Sequence, residues 1–97
     1  MAVAVIQEFP ATLEQYDQVN EKLDPENNSP EGLILHSGGE IGGGKIKVVD
    51  IWESADAFQK FLDGPLGAAV TEVMGPPPEG AEPPPIEIVE LHDLVKP

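Results

Sequence analysis

The chain has 97 residues, the length of one domain, and we assign residues 1–97 to a single domain. Its 5 lysines against 18 acidic residues give a net charge of -13, which predicts no binding to nucleic acid or to anionic membrane surfaces. The chain has no cysteine, which excludes disulfides, thiolate nucleophiles and thiolate metal sites.

The first half of the chain predicts a strand, a helix and a second strand. Valine and isoleucine dominate Ala2–Phe9, as is typical of a β-strand. Thr12 and Gln15 match a capping box that opens a helix over Leu13–Leu23. Turn-forming residues follow, and the next apolar run predicts a second strand over Gly32–Ser37.

The middle of the chain predicts a hairpin and a strand-to-helix junction. Glycines between Gly38 and Gly44 indicate a flexible turn into a third strand, Lys45–Glu53. Ser54 is placed to cap a second helix, and Phe58 and Phe61 begin its buried stripe.

The second helix is predicted to be interrupted and to be followed by a last strand. Gly64 and Pro65 indicate a kink or break, and Gly75 ends the second segment. The proline-rich stretch Pro76–Pro85 favours an extended connector, after which Ile86–Leu91 forms the fourth strand. The element order is therefore βαββαβ.

This order predicts an α+β, ferredoxin-like antiparallel sheet with both helices on one face. Strands three and four are apolar in both alternating sets, so a second copy should cover the face without helices. We place the first set against the helices and the second set in the interior of the resulting homodimer. The first set is Val49, Ile51, Val89 and Leu91; the second is Ile46, Val48, Asp50, Trp52, Ile86, Ile88, Glu90 and His92.

The junction Ile51-Trp52-Glu53-Ser54, followed by Ala57-Phe58 and Phe61, together with the element order, resembles the dimeric α/β-barrel superfamily and its antibiotic-biosynthesis-monooxygenase-like (ABM-like) proteins. The resemblance implies that two sheets pack into a barrel and that each subunit encloses a small-molecule pocket. Proteins of this kind include cofactor-free quinone-forming oxygenases, haem-degrading oxygenases, isomerases and members without known activity, so the reaction stays open.

The resemblance also predicts that no cofactor is bound. In the haem-degrading branch the ligating histidine lies in the later part of the second helix, whereas the matching stretch here, Leu66–Thr71, has no histidine. The two histidines of the chain show no tight spacing with a carboxylate, so no metal site is predicted either.

The polar members of the second set predict a small-molecule site. His92 is our candidate general base, oriented by Glu90 or Asp50, because a buried carboxylate raises the basicity of imidazole. The candidate ligand-binding residues are Trp52, His36, Tyr16 and Gln7. The competing interpretation is structural: His92 is a surface histidine, His36 is exposed beside the glycine-rich turn, and the two aromatic residues pack.

The sequence leaves two functions open. The leading one is a homodimeric barrel that binds a small apolar or aromatic molecule and acts as a cofactor-independent monooxygenase on an aromatic compound. The alternative is a non-catalytic ligand-sensing or interaction module of the same fold. The N-terminal apolar run ends at Gln7 and lacks a basic start, and no apolar run reaches the ~20 residues of a membrane span, so we expect a cytoplasmic protein.

Overall fold

The computed structural model describes residues 1–24, 27–75, 80 and 85–96. Its elements are β1 (Val3–Pro10), α1 (Leu13–Leu23), β2 (Leu33–Gly42), β3 (Lys45–Trp52), α2 (Ala55–Phe61), a π-helical turn (Leu62–Leu66), α3 (Gly67–Met74) and β4 (Ile86–Glu90). The predicted connector over Pro76–Pro85 lies almost entirely outside the described residues.

The four strands form one antiparallel sheet in the order β2-β3-β1-β4, with the helices on one side. This arrangement confirms the predicted βαββαβ order and the ferredoxin-like α+β class. None of the described helices has both the length and the apolar character needed to cross a bilayer.

The hairpin between β2 and β3 is longer than the glycine content suggested. Strand β2 continues to Gly42, and only Gly43 and Gly44 form the turn, with φ values of +62° and +73° that glycine adopts without strain. One residue, Ile41, has no pairing partner on β3, because Glu40 lies opposite Ile46 and Gly42 lies opposite Lys45. Ile41 is therefore a β-bulge.

Helix α1 begins at the predicted capping box. The Thr12 hydroxyl accepts a hydrogen bond from the Gln15 amide at 3.1 Å, and the Gln15 side chain accepts one from the Thr12 amide at 3.0 Å. These two bonds satisfy amides that the first helical turn leaves without partners. The helix ends at Asp24, which adopts a left-handed conformation with φ of 46°.

The second helical segment is continuous through the predicted break. The Ser54 hydroxyl accepts a hydrogen bond from the Ala57 amide at 3.1 Å and so begins α2. Pro65 lies inside the π-helical turn, where its missing N–H is accommodated by wider winding and the helix is not interrupted. Gly75, with φ of +81°, ends α3 as predicted.

The helices cover the face of the sheet that strand alternation had placed in the interior of a dimer. Ile46, Val48, Asp50 and Trp52 of β3 are all buried, and the Trp52 ring centre lies 5.8 Å from that of Phe58 and 5.3 Å from that of Phe61. The prediction that the set containing Val49 and Ile51 faces the helices is therefore wrong. Both sets are apolar, so alternation alone does not distinguish them. The set that contains Trp52 faces the helices because Phe58 and Phe61 pack on its ring.

The opposite face of the sheet, which we call the open face, has no helix over it among the described elements. On it Leu35 is 58% exposed and Val89 is 42% exposed. Ile6, Val49 and Ile51 lie between them and are only partly buried. A continuous apolar strip therefore remains accessible on this side of the subunit.

Candidate functional site

A cavity of about 1060 Å³ lies between the helices and the sheet, and α1 forms one of its walls. Its lining is mainly apolar and includes Phe9, Val48, Phe61, Leu66, Val70 and Ile86. Helix α1 borders this cavity through Tyr16, Val19 and Leu23. A mainly apolar cavity of this size that contains a few polar groups is typical of a small-molecule site.

His36 and Asp50 form a hydrogen-bonded pair at the cavity. The pairing of β2 with β3 places them directly opposite each other, and His36 Nδ1 lies 2.7 Å from Asp50 Oδ1. Asp50 is only 5% exposed. Because a carboxylate accepts hydrogen bonds, Nδ1 of His36 is protonated and its N–H donates a hydrogen bond to Asp50. The lone pair on Nε2 is then the basic position of the neutral ring.

Tyr16 extends this pair into a line of three groups. Its hydroxyl lies 3.0 Å from His36 Nε2, and the two rings are nearly parallel, with an interplanar angle of 16°. With neutral His36 the Tyr16 hydroxyl donates to Nε2. Gly38 makes this arrangement possible, since a Cβ atom at that position would overlap the Tyr16 hydroxyl.

The surroundings raise the pKa values of both His36 and Tyr16. The hydrogen bond to Asp50 raises the pKa of His36, burial opposes this rise, and the charge of Asp50 adds to it. Burial raises the pKa of Tyr16, a hydrogen bond with Asn20 acts against this rise, and the negative charges of Asp50 and Asp17 add to it. The site therefore combines a strengthened base with a tyrosine that keeps its proton.

Two more of the predicted ligand-binding residues border the same cavity. Gln7 lies on β1 between Val48 of β3 and Ile86 of β4. Trp52 also belongs to the lining, although its side chain is fully buried. Its indole nitrogen has no hydrogen-bond partner within the described part of the chain. Tyr16, His36, Asp50, Gln7 and Trp52 are thus brought to one cavity.

The structure does not bring His92 and Glu90 to Asp50. Both residues are exposed, and His92 follows the end of β4. Strand β1 lies between β4 and β3, which carries Asp50. Glu90 instead borders a separate recess of about 420 Å³ together with Ser54 and Asp56.

His36 is the residue whose environment differs most from the sequence-based expectation. Its expected exposure beside the glycine-rich turn is wrong, because 26% of its side chain is exposed and both ring nitrogens have partners. Neither its contact with Asp50 nor the close approach of Tyr16 to Gly38 was predicted. Within the described ranges, no cluster of three histidine, aspartate or glutamate side chains is arranged to hold a metal ion.

Comparison with known proteins gives a fold but no sequence family. No family model and no curated protein matches the chain. Among solved structures, a protein of unknown function from Nitrosomonas europaea is 21% identical, with a TM-score of 0.68 over 99% of this chain and 94% of its own. A candidate antibiotic biosynthesis monooxygenase from Deinococcus radiodurans is 14% identical, with a TM-score of 0.66 over 99% and 97%.

SnoaB, a cofactor-independent oxygenase from Streptomyces nogalater, is 12% identical to the chain, with a TM-score of 0.64 over 97% of this chain and 96% of its own. These likenesses extend over nearly the whole length of each protein, while the identities are low. The chain therefore has the ferredoxin-like α+β fold of the ABM-like proteins, as the strand-to-helix junction and the element order predicted.

Proposed function

We propose that the protein binds a small, mainly apolar aromatic molecule with an ionisable hydroxyl group, and that His36 takes up the proton of that hydroxyl. The observation that carries this proposal is the position of His36, held by Asp50 at 2.7 Å in the wall of a mainly apolar cavity. A base next to an apolar volume suits a ligand that is a ring system with a single acidic group.

The reaction that we propose is cofactor-independent oxygenation of such a molecule. Removal of the hydroxyl proton gives an electron-rich anion that reacts directly with dioxygen. With 1-naphthol as the example, the products are 1,4-naphthoquinone and water, and each takes one atom of dioxygen. The fold shared with the cofactor-independent oxygenase SnoaB supports this choice of reaction.

In this proposal His36 takes the role that the sequence pattern gave to His92. Asp50 keeps its predicted role as the orienting carboxylate, but for the histidine opposite it on β2. Trp52 and Gln7, the other predicted ligand-binding residues, line the same cavity.

Replacing each histidine by alanine decides between His36 and His92 as the base. His36→Ala should lower turnover roughly 100-fold or more, and a comparable loss in His92→Ala alone would overturn the assignment of His36.

Binding is tested with the fluorescent phenol 4-methylumbelliferone and its methyl ether, which has the same rings but no acidic proton. We expect the phenol to raise the melting temperature increasingly with concentration, and to bind as the phenolate in the wild type but not in His36→Ala. Binding with no phenolate, or equal phenolate in both proteins, would contradict the role of His36.

Oxygen uptake separates the oxygenase from the ligand-sensing alternative. With 1-naphthol, we expect the wild type to consume dioxygen and to form naphthoquinone without any added cofactor. Phenol binding without oxygen uptake would support the non-catalytic module and remove the oxygenase step.

We also propose that the subunit forms a homodimer through the open face. Leu35 and Val89 are exposed there, and a chain of 97 residues buries only a modest fraction of its surface alone. Val49→Lys, in the middle of this face, should give a monomer in analytical ultracentrifugation. Gln18→Lys, on the exposed side of α1, should stay dimeric. A wild type that is a folded monomer at micromolar concentration would disprove the dimer.

A further inference from the structure

The basic nitrogen of His36 is already occupied by a protein group. Nδ1 donates to Asp50, so Nε2 is the position that can take up a proton, and the Tyr16 hydroxyl lies 3.0 Å from it. Because Nε2 has a single lone pair, a ligand hydroxyl cannot donate to it while the Tyr16 hydroxyl does.

The position of Tyr16 is fixed by three independent features. The capping box at Thr12 and Gln15 fixes the start of α1 one turn before the tyrosine. Gly38 leaves the space into which the tyrosine hydroxyl fits. The rings of Tyr16 and His36 are nearly parallel, with centres 6.3 Å apart. The contact is thus part of the folded architecture of the site.

On the basis of the proposed function, we infer that Tyr16 is the group that contacts the hydroxyl of the ligand and that it relays the proton to His36. The ligand O–H donates to the tyrosine oxygen while the tyrosine O–H donates to Nε2. When the ligand proton moves to the tyrosine oxygen, the tyrosine's own proton moves to Nε2. Tyr16 ends neutral, the ligand becomes an anion, and the imidazolium stays paired with Asp50.

The chemistry of each group fits its place in this relay. A phenol is both a donor and an acceptor, so one oxygen can serve the ligand and the histidine together. Burial, with the charges of Asp50 and Asp17, raises the pKa of Tyr16, which favours the protonated phenol. The imidazolium that forms is stabilised by a carboxylate at 2.7 Å.

Tyr16→Phe tests the relay because it keeps the ring and removes only the oxygen. With 4-methylumbelliferone, we expect the bound phenolate-to-phenol ratio at a given pH to fall at least about tenfold, the effect of losing a charge-assisted hydrogen bond. Binding of the methyl ether, which has no proton to transfer, should stay within about twofold and shows that the cavity is intact.

The result also distinguishes the relay from the proposed function. If Tyr16→Phe keeps or increases the phenolate while His36→Ala abolishes it, the ligand reaches Nε2 directly, and the relay is wrong although the base is right. If His36→Ala leaves the phenolate unchanged, the proposed function itself fails. Loss in both variants supports the relay.

Discussion

The face of the sheet under the helices has two ends with opposite character. At the aromatic end, Trp52, Phe58 and Phe61 pack on one another, and Trp52 and Phe58 are almost wholly buried. At the polar end, Tyr16, His36 and Asp50 form a line of hydrogen bonds beside the cavity. Asp50 and Trp52 are only two residues apart on β3, so strand alternation gives both ends the same orientation. The elements that pack against each residue make the difference.

The contrast between the two ends indicates that different residues of this face control the stability of the fold and the protonation of its polar groups. Helix α2 supplies the two aromatic rings, of Phe58 and Phe61, that pack on Trp52 and close one end. Helix α1 and β2 supply Tyr16 and His36, which make the other end polar. Changes at the aromatic end should therefore act on folding first, and changes at the polar end should act on protonation.

The largest expected effect is at the aromatic end. Phe58→Ala removes a side chain that is 1% exposed and should lower the free energy of unfolding by about 3–5 kcal/mol, since it leaves a cavity beside Trp52. Urea unfolding measures this loss. The neighbouring exposed residue serves as the control: Gln59→Ala should change stability by no more than about 0.5 kcal/mol. Equal losses in both variants would show that this end is not a packed core.

An intermediate effect is expected where α1 approaches β2. Gly38→Ala places a methyl group where the Tyr16 hydroxyl lies, and should lower the free energy of unfolding by about 1–3 kcal/mol while moving the tyrosine away from His36. Gly39→Ala is the matched control, because nothing lies within 4 Å of its added Cβ. If both alanines were tolerated equally, Tyr16 would not depend on the space that Gly38 leaves.

The smallest effect is a pH dependence that comes from the polar end alone. The folded protein raises the pKa of His36, so the pairing with Asp50 stabilises it fully below the ordinary value of about 6.5. This stabilisation is lost as the pH rises through the raised pKa. The difference in free energy of unfolding between wild type and His36→Gln should thus be larger at about pH 6 than at about pH 9. The same difference at both pH values would contradict the pairing.

The sequence predicted the local elements well because their signals are local. The capping residue Thr12, the helix start at Ser54 and the terminating Gly75 each act through hydrogen bonds or dihedral angles of nearby residues. The strand pattern and the order of elements then restrict the topology to few choices. The fold followed from these signals together with the junction at Trp52.

The side of the sheet could not be predicted in the same way. Val49 and Ile51 are as apolar as Ile46 and Val48, so alternation along β3 gives two faces that look alike. Packing across the strand-to-helix junction decides the matter, because Phe58 and Phe61 pack on Trp52. The choice of face also placed the end of β4, with His92, inside the barrel, whereas His92 is exposed.

The bulge at Ile41 turns His36 toward the cavity. Counting back from the turn in unbroken register would pair Ser37 with Asp50 and would point His36 toward the open face. Because Ile41 has no partner, the residues before it are displaced by one position relative to β3. His36 therefore lies opposite Asp50, and its imidazole faces the helices. The position of His36 at the polar end thus depends on a main-chain irregularity five positions away, at a residue whose own side chain is half exposed to solvent.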